Sequence, residues 1–174
     1  MSTYSVKARR IDGGGSVATT RAAEVILDTS LSGREDAFNP AELFLASIAA
    51  CIIKGVERVT PLLEFDLRGV EVKLTANRRD RPPKLVSVGY EIIVATDESD
   101  HRLELLHTNV RKFGTIFNTV SEATKLTGVL RRKQADSPGE AAEHQAEIER
   151  IAESSRKQLD AIPAPGTDVL HEGP

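Results

Sequence analysis

Apolar positions along this chain switch between a two-residue and a three-to-four-residue period, and the switches mark the elements. From Tyr4 to Arg10 they alternate, with Tyr4, Val6 and Ala8 set against Ser5, Lys7 and Arg9, the pattern of a half-buried strand. Asp12-Gly13-Gly14-Gly15 follows as a turn that permits positive φ. The segment Ser16–Asp28, with Ala23, Val25 and Leu27 on one side, predicts one or two further strands in a meander with the first. A polar loop, SLSGREDA, then leads into the longest apolar segment, Phe38–Thr60, FNPAELFLASIAACIIKGVERVT. This segment reads as one helix with firm ends. Asn39 is a good N-cap, Pro40 suits the first helical position, and Glu42 can bond back to the Asn39 amide. Pro61 disfavours helical geometry at Thr60 and stops the run. From Leu43 to Ile53 nearly every side is apolar or small, which predicts a central helix covered on both faces. That run is too short to cross a bilayer.

Beyond Pro61 the period returns to two. Arg68–Asn77 alternates Val70, Val72, Leu74 and Ala76 with polar neighbours, and Leu85–Thr96 is rich in Val, Ile and Tyr. Between them Arg78–Lys84 reads as the turn of a long hairpin, its basic cluster a solvated tip. Asp97–Asp100 suits a helix entry, and Leu103, Leu106, Val110, Phe113, Phe117 and Val120 then recur at three- and four-residue spacings as one buried stripe. Gly114 interrupts that stripe, where it costs about 1 kcal/mol relative to Ala, so it predicts a helix break or a close backbone approach. Leu126–Lys133 can form a last strand. The fold class expected is α+β, with two long helices against antiparallel sheet. A helix that is apolar all round is hard to cover from residues 1–133 alone, and a symmetric homodimer would complete its cover.

Charge adds a boundary. The net charge of −3 conceals a body of slightly positive balance, residues 1–133, and a strongly acidic segment, residues 134–174. An α+β domain over 1–133 is therefore expected to carry an acidic C-terminal tail over 134–174, partly helical or disordered. Glu140–Leu159 is charged and helix-favouring, with a thin stripe of Ile148, Ile151 and Leu159. The body's positive excess is too small to argue for nucleic acid, and 4% aromatic content without Trp argues against a base-stacking surface. No N-terminal signal or membrane run is visible, so a cytoplasmic address and no membrane partner are expected. The glycine run lacks a Walker lysine and reads as a hairpin turn.

Candidate chemistry narrows to Cys51, the single cysteine, which cannot form an intrachain disulfide. It lies mid-helix, away from the N-terminal dipole that favours a thiolate, with Ser47, Ile48, Lys54, Gly55 and Arg58 as same-face neighbours. Composition alone reads it as an inert core residue. The four histidines form no metal-ligand spacing with it, and no metal or cofactor is expected.

The stretch FNPAELFLASIAAC resembles the helix of the OsmC/Ohr family (osmotically induced protein and organic hydroperoxide resistance protein). That family's pattern is Asn-Pro-Glu-Glu/Gln-Leu followed by a small-residue helix ending in Ala-Ala-Cys. Asn39, Pro40, Leu43, Ala49, Ala50 and Cys51 match it, including the distance from Asn to Cys, and the element order over about residues 4–132 agrees. The resemblance implies an intertwined homodimer with its two central helices packed together. It also implies that Cys51 is a peroxidatic thiolate, which attacks a hydroperoxide and becomes a sulfenic acid. In active members a second cysteine resolves that product, while an Arg and a Glu hold the thiolate and orient the peroxide. Here Gly114 takes the resolving cysteine's place and Ala41 falls where the Glu would be. Glu42 is adjacent, and Arg10 and Arg34 are candidates for the Arg by position only. Two functions are expected on this basis, beside a third reading of the chain as a purely structural or partner-binding dimer acting through the acidic tail. One is one-cysteine reduction of an organic hydroperoxide with an external thiol reductant. The alternative is a non-catalytic dimer that binds a small apolar or thiol-reactive ligand.

Overall fold

A computed structural model describes residues 2–134 and, beyond them, Ala146, Glu149, Arg150, Glu153 and Lys157, which are helical. Apart from those five positions, the expectation for the acidic tail falls outside the described residues. Residues up to Ala37 and residues Phe38–Gln134 belong to two compact units.

The N-terminal unit is an antiparallel meander of β1 (Lys7–Asp12), β2 (Gly15–Thr20) and β3 (Ala23–Leu27), in that spatial order. Its first turn is held by the Asp12 carboxylate, which accepts from the Gly14 amide at 2.6 Å. The second turn places Arg21 at φ 53°. The alternation of Tyr4, Val6 and Ala8 does not become a half-buried strand. β1 begins only at Lys7 and is exposed throughout, while the buried positions of the sheet lie on the central strand, at Gly15–Ala18. An edge strand has one neighbour and a central one has two, so period two alone does not say which strand is covered.

The second unit is built on α1 (Pro40–Val59). Its N-terminus forms as the sequence predicts. The Asn39 side chain accepts from the amides of Ala41 and Glu42, and the Glu42 carboxylate accepts from the Asn39 amide at 2.9 Å, a full capping box. After Thr60 a single 3₁₀ turn, Pro61–Leu63, ends with Glu64 in left-handed geometry. That exit is fixed by Arg102, whose guanidinium donates to the carbonyls of Leu63 and Glu64 and pairs with Glu98 at 2.7 Å.

A long hairpin follows, β4 (Gly69–Asp80) and β5 (Pro83–Ala95), then α2 (Asp100–Phe113), α3 (Thr115–Ser121) and β6 (Lys125–Arg132). The expected second helix is divided at Gly114, which ends α2 and caps α3 with extended backbone. The sheet order is β4-β5-β6. β4 and β5 are antiparallel, but β6 pairs parallel to β5, Tyr90 opposite Gly128. The expectation of purely antiparallel sheet is thus corrected to a mixed one. The β5–β6 connection is a crossover through two helices rather than a turn, and such a crossover brings the next strand back in the same direction. Over residues 2–134 the fold is α+β, with two sheets and three α-helices.

The core lies between the helices and this second sheet. Ile48, Ile52, Val56 and Val59 of α1 meet Val88, Ile92 and Val94 of β5 and Leu103, Leu106 and Val110 of α2, all buried. Gly55 marks a close approach of α1 to α2, since a Cβ there would stand 3.2 Å from a Val110 methyl. The helix is therefore buried on one face within the chain rather than on both. Phe44, Ser47, Ala50 and Lys54 on its other side are exposed.

Candidate functional site

Cys51 sits at the margin between those two faces of α1, an unbridged and half-buried thiol. The capping box and Pro40 fix where the helix starts, and one further residue in or out would rotate the thiol by about 100°. Ser47, one turn earlier, donates its hydroxyl to the Phe44 carbonyl at 2.6 Å and so serves its own helix. Lys54 and Arg58, one and two turns later, are exposed, as long basic side chains on a helix commonly are.

What faces Cys51 is Gly114. A Cβ built on Gly114 would lie 3.5 Å from the Cys51 sulfur, ordinary van der Waals contact. The same Cβ would stand only 2.8 Å from the Cβ of Phe117, closer than two carbons tolerate. The α2–α3 break thus brings bare backbone up to the thiol and leaves no room there for a side chain. Both expectations for Gly114, a helix break and a close approach, are met at one residue.

Behind the break stands an aromatic stack. The Phe117 ring meets Tyr90 edge-on at 5.7 Å, and Tyr90 meets His107 edge-on at 5.8 Å, with the Tyr90 hydroxyl and His107 Nε2 2.8 Å apart. Burial raises the Tyr90 pKa, and burial followed by the nearby Arg111 lowers that of His107, so the pair is neutral near pH 7. Tyr90 owes its place to Gly128 on the neighbouring strand, where any Cβ would overlap the Tyr90 carbonyl and ring. The sequence pattern does not connect Tyr90 or Phe117 with the Cys51 site. The one available signal is the glycine in the last strand, which the parallel register sets against Tyr90.

Glu42 is held in the capping box at the start of α1, and Ala41 beside it is exposed. In the N-terminal unit Arg34 makes a two-pronged ion pair with Asp36, at 2.6 and 2.7 Å, and its amide donates to Asp28. Asp36 raises the Arg34 pKa through that pair. Arg10 is exposed on β1 beside the glycine turn. The structure thus brings Gly114 to Cys51, commits Glu42 to a cap and gives Arg34 a carboxylate of its own. No group of His, Cys, Asp and Glu able to hold a metal occurs among the described residues. No helix among them is long and apolar enough to cross a membrane.

A family model described as OsmC-like protein matches residues 33–128, more than half of the chain. Among solved structures, an OsmC-like protein from Mycoplasma pneumoniae superposes with a TM-score of 0.70 at 16% identity, over 76% of this chain and 99% of that one. An organic hydroperoxide resistance protein OsmC from Legionella pneumophila gives 0.58 at 20% identity, over 75% and 97%. The organic hydroperoxide resistance protein OhrB of Bacillus subtilis gives 0.55 at 17% identity, over 74% and 98%. Curated protein sequences give no match.

Proposed function

The chain belongs to the OsmC-like protein family, and from that premise we propose that it is a stress-response redox protein in which Cys51 reduces an organic hydroperoxide. The observation that carries this reading is the meeting of Cys51 with Gly114, 3.5 Å from where a side chain on that residue would begin. The thiol of the Ala-Ala-Cys helix stands against residue 114, where the resemblance sets a resolving cysteine, and only backbone is present there.

The steps follow from that geometry. The Cys51 thiolate attacks the outer oxygen of R–O–OH; the O–O bond breaks, the leaving alkoxide takes a proton as ROH, and sulfur becomes sulfenic acid. With glycine at 114, a second thiol must come from outside. A low-molecular-weight thiol condenses with the sulfenic acid, forming a mixed disulfide and releasing water. A second equivalent then frees Cys51 and leaves as the symmetric disulfide. Exposure of Phe44 and Ala50 beside the cysteine supports burial of this side of α1 against a second copy in a homodimer. A cytoplasmic, thiol-rich location would supply the reductant.

A second reading is favoured by a separate observation. Glu42 is committed to the helix cap and Arg34 to Asp36, so neither is free to act as the family's Glu or Arg. On that reading the dimer binds a small apolar or thiol-reactive ligand without turning it over. Rapid mixing with cumene hydroperoxide, with a dimedone trap and mass spectrometry at Cys51, separates the two. The redox reading expects sulfenic acid at Cys51 well ahead of free cysteine under the same conditions, and its loss in Cys51→Ser. Oxidation no faster than free cysteine rejects it in favour of the ligand-binding alternative.

A further inference from the structure

Apart from the cysteine, the N-terminal half of α2 and the end of β6 enclose a groove of about 580 Å³, within the size range of small-molecule sites. Its floor is apolar, made by the buried Leu103 and the half-buried Leu130. Its walls carry both signs of charge. Asp100 and Glu104 stand one turn apart on α2, and Arg131, Arg132 and Lys133 stand on the β6 side, with Arg131 already paired to Glu91. Arg132 is oriented in advance, because its guanidinium donates to the Glu98 carbonyl and, at 2.9 Å, to the Asp100 carboxylate. His107 lines the groove one turn beyond Glu104, and its hydrogen bond to Tyr90 holds the ring in place.

The distribution of charge restricts what can enter. An anion drawn to Arg132 and Lys133 would also face Asp100 and Glu104, and a cation drawn to those carboxylates would face the two basic groups. At such separations like-charge contact costs what opposite-charge contact gains. A molecule carrying both signs on a short skeleton, with an apolar side chain for the floor, meets each wall with its complement.

We propose that the α2–β6 groove binds a small zwitterion of the amino-acid or dipeptide class. Its carboxylate lies toward Arg132, its ammonium toward Glu104, and its apolar side chain on Leu103 and Leu130. The site goes beyond the redox reading and does not depend on Cys51. The test is a nitrogen–proton NMR titration of the full chain with leucyl-leucine, repeated with the N-acetylated, the C-amidated and the doubly blocked dipeptide. Saturable shifts of the Leu103, His107 and Leu130 amides are expected with the free dipeptide, with each singly blocked form at least about tenfold weaker. Glu104 is exposed, so Glu104→Gln should fold normally, and it should weaken the free and the C-amidated dipeptide about tenfold while leaving the N-acetylated form unchanged. A factor of ten corresponds to about 1.4 kcal/mol. Absence of saturable shifts at millimolar dipeptide overturns the proposal. So does equal affinity for the doubly blocked form, which would mean that the apolar floor alone binds. The Cys51→Ser chain should bind identically, so failure here and failure of the redox reading are read from different residues.

Discussion

The two faces of α1 do different work. Ile48, Ile52, Val56 and Val59 are almost entirely removed from water and pack on β5 and α2. On the other side, Phe44 and Ala50 are exposed, Cys51 is half-buried, and bare backbone at Gly114 meets the sulfur. Both faces carry apolar side chains, although the second also carries Ser47 and Lys54. What distinguishes them is the size and fit of the opposing surface: interlocked side chains on one side, and a glycine that admits nothing on the other. The first face makes the fold, and the second offers a thiol.

Exchange of side chains on each face should break this contrast or confirm it. Ile52→Ala removes methyl and methylene groups from a site that is 2% exposed, and should cost about 2–5 kcal/mol by urea unfolding. Cys51→Ser, on the other face, should cost less than about 1 kcal/mol, because half-buried positions lose little transfer energy. If the two variants unfold at similar denaturant concentration, the faces are not energetically distinct and Cys51 is core.

Gly114→Ala tests the seam between them. The new methyl would lie 2.8 Å from the Phe117 Cβ, so α3 must shift, at a cost of about 1–3 kcal/mol. It would also stand in van der Waals contact with the Cys51 sulfur, at 3.5 Å. Alkylation of Cys51 by iodoacetamide should slow several-fold in this variant under native conditions. Unchanged stability and unchanged alkylation together would mean that the break between α2 and α3 is loose and does not confine the thiol.

Much of this contrast is legible in the amino-acid sequence. The bounds of α1 follow from Asn39, Pro40, Glu42 and Pro61, because caps act within a few residues and need no tertiary partner. Gly114 announces its break for the same reason, as a residue whose local cost is out of keeping with its stripe. The parallel pairing of β6, the seating of Tyr90 on Gly128 and the groove beside His107 are not legible there. Each joins residues more than twenty positions apart, and strand direction and register are settled by the crossover and by packing rather than by the local alternation that predicts a strand. The same limit applies to the single-face burial of α1. An all-round apolar pattern says that cover is favourable and does not say which chain supplies it.

The smallest effect concerns the aromatic stack that backs Phe117, and so the firmness of the cysteine face from behind. Burial, and then Arg111, lower the His107 pKa. Above about pH 6.5, the ordinary histidine value, the imidazole is neutral in both folded and unfolded chains and its titration takes nothing from stability. As pH falls through that value the unfolded chain gains a proton that the native one refuses, and stability declines until the folded pKa is reached. The slope can be at most about 1.4 kcal/mol per pH unit for one group. His107→Gln should lack this slope while retaining a partner for the Tyr90 hydroxyl, and the other histidines cancel between the two chains. Urea midpoints from about pH 7.5 to 5.5 should therefore draw together, with wild type losing its advantage as pH falls. A constant difference across that range would mean that His107 is as well solvated as in the unfolded chain. The Tyr90–Phe117 stack would then lose its closed side, and the backbone at Gly114 would have less behind it than the packing implies.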